Sequence, residues 1–176
     1  MAINTPDIIK LEDHEITYCN FSGREVKYNN HTINREGNRN FCVVLSDEEA
    51  DELLADGWHV RVKEFDDGSR RNTLQVAVRF DIERFKPSVF MLTPKGDRFK
   101  KTRVDENMVA TLDLCKIASA DLAINPSHWQ NAMGDTGIKA YLKTGYFIIE
   151  KDEFEDKYAD AEDDGDFYEV EEETPF

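Results

Sequence analysis

The chain has 176 residues, of which 40% are hydrophobic and 34% charged, and its formal net charge is −15. That length supports one domain with its own apolar core, and no stretch approaches the ~20 apolar residues of a membrane span. Cys19, Cys42 and Cys115 are widely spaced and the four histidines form no ligand pattern, which argues against a disulfide framework and against a zinc or other metal site.

Residues 1–14 read as a flexible lead-in. Met1–Lys10 lacks the apolar core of a secretory signal, so an intracellular, cytoplasmic protein is expected. "EITYCNF" (Glu15–Phe21) is rich in β-branched and aromatic residues and predicts a strand ending at Ser22-Gly23. The polar, Asn-rich stretch Arg24–Asn40 reads as a loop or an exposed hairpin, and "FCVVL" (Phe41–Leu45) as a buried strand. Ser46 with Glu49 three residues on forms a capping-box pattern, and Gly57 supplies a stop, so a helix spans this segment. "WHVRVKEF" (Trp58–Phe65) alternates apolar and polar residues, turns at "DDGS", and returns as "NTLQVAVRFD" with Leu74, Val76, Val78 and Phe80 on one face. That pair predicts an antiparallel hairpin.

"SVFMLT" (Ser88–Thr93) is a further strand. Met108, Val109, Leu112 and Cys115 have helical spacing, predicting a second short helix over Asp105–Ile117. "NPSHW" reads as a turn that carries Trp129, and "GIKAYLKTGYFII" (Gly137–Ile149) as the last core strand. About six short strands and two helices suit a mainly β (α+β) domain. A five-stranded OB-like barrel over residues 15–158 has this budget, with an open antiparallel sheet as the rival.

Charge is unevenly spread. Residues 150–176 hold 14 acidic and 2 basic residues, whereas Arg70–Arg103 holds 10 basic and 3 acidic ones. Such asymmetry points to a binding function. On the last core strand, Lys139, Tyr141 and Lys143 project opposite to Ile138, Ala140 and Leu142, placing an aromatic ring between two cations. An arrangement of that kind can stack a nucleobase and neutralise its phosphates, or it can be an ordinary amphipathic strand. Arg70, Arg71, Arg79, Lys100 and Lys101 run through the basic segment. There Phe80 and Phe90 have core phase, while Phe85 and Phe99 sit among polar residues and are better placed to stack. Arg35 and Arg39 in the polar loop, Arg61 and Lys63 on a strand face, and Trp129 complete the candidate set.

No catalytic constellation is present: there is no GxSxG, Walker loop or GxGxxG, and the carboxylates of "DEE" and "DEN" open predicted helices, where the macrodipole favours them. The chain is read as a non-enzyme without cofactors. The acid-rich segment 159–176 is too charged to pack and is expected to be disordered. Its end, "EVEEETPF", sets Glu171, Glu172 and Glu173 before Pro175 and Phe176, a terminal ring and carboxylate that a basic-rimmed apolar pocket on a partner protein could capture.

"EVEEETPF" resembles the acidic tip of bacterial single-stranded DNA-binding proteins. The body, through "NREGNRNFCVVL", "LLADGWHVRV", "LQVAVRF", "NPSHW" and "GIKAYLKTGYFIIEKDEFEDKYAD", resembles phage-encoded single-stranded DNA-binding proteins of OB fold. The resemblance implies sequence-independent binding of single-stranded DNA in replication, recombination and repair, no metal, and recruitment of partners through the tip. Because the body departs from the cellular bacterial domain, it implies no tetramer, and a homo-oligomer stays open. Two rival readings remain at this point. One is an acidic DNA mimic or adaptor that inhibits a host nucleic-acid enzyme, although a mimic would spread carboxylates over its folded surface. The other is a small nucleic-acid enzyme.

Overall fold

A computed structural model describes residues 8–83, 86–151, 154 and 157. β-Branched and aromatic residues at period two make the chain mainly β. In order come β1 (Ile9–His14), β2 (Ile16–Asn20), β3 (Val26–Tyr28), β4 (His31–Asn34), β5 (Arg39–Leu45), α1 (Asp47–Ala55), β6 (Val60–Glu64) and β7 (Arg70–Val78). There follow β8 (Ser88–Lys95), β9 (Arg98–Val104), a 3-10 turn (Val109–Leu114), β10 (Ile117–Gln130) and β11 (Thr136–Ile149).

The main sheet runs β1-β10-β11-β7-β5-β2. Its two outer members, β1 and β2, are separated in sequence by Glu15 alone, and Val44 N–H donates to the Glu15 carbonyl at 2.9 Å. The two edges are therefore one bent stretch of chain, and the sheet curls back on itself. Counting β1 and β2 as a single bent strand leaves five staves, joined antiparallel except where Ala140 and Tyr141 of β11 run parallel to Val76 and Ala77 of β7. This is the five-stranded, partly open barrel of an OB-like fold. Three strands elaborate it: β6 pairs with β7, and the β8–β9 hairpin docks in parallel on the second half of β11. The β3–β4 hairpin is separate, with Asn29 and Asn30 at positive φ (49° and 66°) in its two-residue turn. Asparagine tolerates that conformation, which two-residue hairpin turns require.

Phe21, Phe41 and Phe147 meet in the barrel with ring centroids 5.2–5.4 Å apart, all fully buried. Gly145 makes room for them, since a Cβ there would stand 2.6 Å from the Phe147 ring. Leu74, Val76, Val78, Ile138, Ala140 and Leu142 face inward as their alternation predicts. α1 forms where expected: Ser46 Oγ accepts from Glu49 N–H and Glu49 Oε1 accepts from Ser46 N–H, while Gly57 takes φ 98° just past the end.

Three expectations differ. Residues 9–14 of the expected lead-in form β1, because Leu11 alternates into the core and pairs with Leu122. The expected second helix shrinks to the 3-10 turn, and Asp105 Oδ1 accepts from Met108 N–H at 3.0 Å in the turn that leads into it. Of its apolar residues only Val109 and Leu112, three apart, are buried, as the threefold repeat of a 3-10 turn dictates. "NPSHW" is no turn but the end of β10. Ile9, the first described residue of β1 that pairs, stands opposite Ile124. Pro126 still pairs with Ala140 of β11 but lies past the last described pairing with β1, so its missing N–H interrupts no bond to that strand. Among the described residues, no helix is long and apolar enough to cross a membrane, and no group of three His, Cys, Asp or Glu side chains could hold a metal.

Candidate nucleic-acid interface

Alternation assigns the outer surface. With Asn72, Leu74, Val76 and Val78 turned inward, Arg71, Thr73, Gln75 and Ala77 of β7 face out, and Arg79 just past its end lines the same side. Register then sets Arg61 opposite Thr73, Lys63 opposite Arg71, Cys42 opposite Gln75 and Asn40 opposite Ala77. The β3–β4 hairpin stands beside this floor. Its base is stitched by asparagines: Asn20 Nδ2 and Asn34 Nδ2 both donate to the Arg24 carbonyl, and Asn40 Nδ2 donates to Asn34 Oδ1 at 2.9 Å. The Asn-rich composition of Arg24–Asn40 serves this anchorage.

Between hairpin and floor lie two adjoining hollows of about 480 and 190 Å³ that share Ile33, Asn34, Asn40 and Gln75. Arg24, Arg61, Lys63 and Arg71 line the first; Arg39, Arg79 and Lys139 line the second; no carboxylate lines either. Among the described residues, Arg24, Arg61, Lys63 and Lys139 make no ion pair. Such a cleft concentrates positive potential for a polyanion. It lies on the second and third barrel staves, between the connection after the first stave and the β10–β11 turn, where OB folds take oligonucleotides.

At the far end, Tyr141 carries the Arg79 guanidinium 5.9 Å and the Lys139 Nζ 5.6 Å from its ring centroid. Arg79 is also bidentate to Asp81 (2.8 and 2.7 Å), and those hydrogen bonds hold the Asp81 carboxyl down to about 2. Trp129 stands opposite Gly137 on the same outer face of β10–β11, with its indole so close that a Cβ on Gly137 would sit 2.7 Å from it. Lys143 is the extra residue of a bulge, between Leu142 opposite Ile124 and Thr144 opposite Ala123, and is exposed.

The structure thus gathers Arg39, Arg61, Lys63, Arg71, Arg79, Trp129, Lys139 and Tyr141 on one side, with Arg35 exposed in the turn after β4. Other candidates lie elsewhere. Arg70 is taken by α1: its Nε and Nη2 reach Asp47 and Asp51 at 2.8 Å, since its phase is one residue off that of Arg71. Arg39 is divided, its guanidinium 5.8 Å above the Phe80 ring and 3.7 Å from Glu106. Phe99, Lys100 and Lys101 belong to the β8–β9 hairpin, outside the cleft. Phe85 and the tip residues Glu171, Glu172, Glu173, Pro175 and Phe176 fall outside the described residues.

Sequence reading missed Arg24 and Tyr18, both lining the larger hollow. It also placed Phe90 in the core, whereas the ring stacks on Tyr146 at 4.9 Å with Lys101 and Arg103 over it. That ladder follows from register, because Arg103, Phe90 and Tyr146 form one row across β9, β8 and β11. Cys19 and Cys42 line the cleft too. Burial, followed by the nearby Asp113, pushes the Cys19 thiol up to about 12, and burial raises Cys42, so both are poor nucleophiles at neutral pH.

No curated protein matches this chain. The crystal structure of gp2.5, a single-stranded DNA binding protein encoded by bacteriophage T7, is similar at 10% identity and a TM-score of 0.36, with 90% of this chain and 96% of that one covered. The family model described as a putative phage ssDNA-binding domain matches residues 3–175. With nearly its whole length matched, the chain belongs to the family of phage ssDNA-binding domains, which are binding proteins and not enzymes.

Proposed function

We propose that the protein coats single-stranded DNA without regard to sequence during phage replication, recombination and repair in the host cytoplasm, and that the strand runs through the cleft beside β3–β4 and on past Tyr141 and Trp129. The carrying observation is a cleft lined by seven cationic side chains and no carboxylate on the outer face of an OB-like barrel. Cations hold phosphates, and exposed rings stack bases that a duplex would hide. The acidic tip, through Glu171, Glu172, Glu173, Pro175 and Phe176, recruits replication or repair proteins; an acidic run followed by Pro175 and the Phe176 ring supports that role.

The test is a comparison of single- and double-stranded oligonucleotides across stepped salt. Four to seven phosphate contacts predict a log–log slope of roughly −3 to −5 for the single strand. Affinity for the single strand should far exceed that for the duplex at each salt concentration. Equal affinities at matched salt overturn the reading.

A further inference from the structure

Tyr18 stands in the middle of β2 with φ +50°, a left-handed backbone that glycine and asparagine adopt far more readily than a bulky residue. The ladder explains how. Thr17 pairs with Cys42 and Asn20 with Asn40, so Tyr18 and Cys19 together oppose the single residue Phe41. This is a β-bulge, a device that re-aims a side chain and is enriched beside binding sites. Cys19 stays half-buried against the core where it lines the hollow, and Tyr18 is sent out on the hollow's wall, 74% exposed. Among the described residues, no hydrogen bond or ring contact engages it. A bulky tyrosine held in a costly backbone conformation, exposed and unengaged on the wall of the cleft, points to a functional constraint.

The chemistry of the hollow identifies the ligand. Val26, Ile33 and Val62 give it apolar walls, Gln75 offers an exposed amide on its floor, and Arg24, Arg61 and Lys63 give it positive charge. A flat, neutral ring bearing an attached phosphate matches all of these. We propose that this hollow is a nucleobase site, in which one base leaves the stack of the bound strand and lies on the Tyr18 ring while the cations hold its flanking phosphates. The inference rests on the proposed binding of single-stranded DNA and adds the residue that sets one base apart from the others.

The test uses the full-length chain, an oligothymidine, and an abasic oligonucleotide of equal length at one salt concentration. Asparagine tolerates the left-handed conformation, so Tyr18→Asn should leave the melting temperature equal or raised. Its affinity for oligothymidine should fall about tenfold, the order expected for one lost stacking contact. Abasic affinity should be unchanged, and Tyr18→Phe should bind oligothymidine as the wild type does. Wild-type affinity of Tyr18→Asn for oligothymidine overturns the base site, as does an equal loss on the abasic strand. A lowered melting temperature with unchanged binding means that Tyr18 is packing and also overturns it; Tyr18→Gly, free of any Cβ, repeats the comparison if the asparagine variant misfolds. Failure of the wild type itself to prefer single strands would instead refute the function proposed above.

Discussion

Arg70 and Arg71 are neighbours in sequence and do different work. One phase of β7 aims Arg71 at the cleft, and the other aims Arg70 at Asp47 and Asp51 of α1. Tyr141, in the outward phase of β11, sits under Lys139 and Arg79. The two sites therefore predict opposite phenotypes. Tyr141→Ala should weaken binding of single-stranded DNA by about 1–3 kcal/mol with little change in melting temperature. Arg70→Ala should lower the melting temperature and leave DNA affinity unchanged. Titrations and thermal melts on both variants check this, and a binding defect in Arg70→Ala without loss of stability would contradict the assignment. The period of two made Tyr141 and Lys139 legible in the sequence, because one face of β11 is apolar from Ile138 through Ala140 to Leu142. Tyr18 was not legible: a bulge belongs to the pairing of two strands, and nothing in "EITYCNF" alone says where the register slips.

At the scale of elements, local signals were read correctly where they were self-contained. The capping box of α1 is closed within four residues, and the β6–β7 hairpin carries its own turn. Elements defined by distant partners were misread. Asp105–Ile117 has spacing that suits a helix, yet its tertiary setting buries only Val109 and Leu112. "NPSHW" has turn composition, yet β11 pairs along its whole length, from Asn125 opposite Tyr141 to Trp129 opposite Gly137. That pairing makes Trp129 part of the β10–β11 ribbon and the bare Gly137 backbone its support. Gly137→Ala should push the indole aside, because its nearest carbon would lie 2.7 Å from the new Cβ. Trp58 is buried and Trp129 is 42% exposed, so quenching of tryptophan fluorescence by DNA reports on Trp129. The variant should keep its fold, bind several-fold more weakly and lose much of that quenching. Unaltered quenching and affinity would show that the ring's position on Gly137 is irrelevant to the strand.

For the molecule as a whole, barrel closure and charge separation come from different parts of the chain. Closure depends on β1 and β2 being one bent strand, which hydrophobic alternation in either half does not reveal; the tally of strands and helices suited an OB-like barrel but left an open sheet as its rival, and the resemblance pointed to the barrel. The charge separation is plain in the sequence: residues 150–176 carry 14 acidic and 2 basic residues, and the cleft presents seven cationic side chains. On the proposed reading, an acidic segment tethered to the barrel that carries the cleft has an effective concentration on the order of millimolar. It should therefore compete with DNA for the cleft, weakly and in a way that salt screens. Deleting residues 160–176 should tighten binding of single-stranded DNA at low salt, with the gain shrinking as salt rises toward the range where the Debye length falls to about 8 Å. Removing Phe176 alone leaves the charge of the side chains intact, so it should leave DNA affinity nearly unchanged while abolishing capture of replication or repair proteins. The two variants separate the roles, because competition depends on charge and recruitment on the ring. A truncation that leaves low-salt affinity untouched refutes competition, and undiminished partner capture without Phe176 refutes recruitment through the tip.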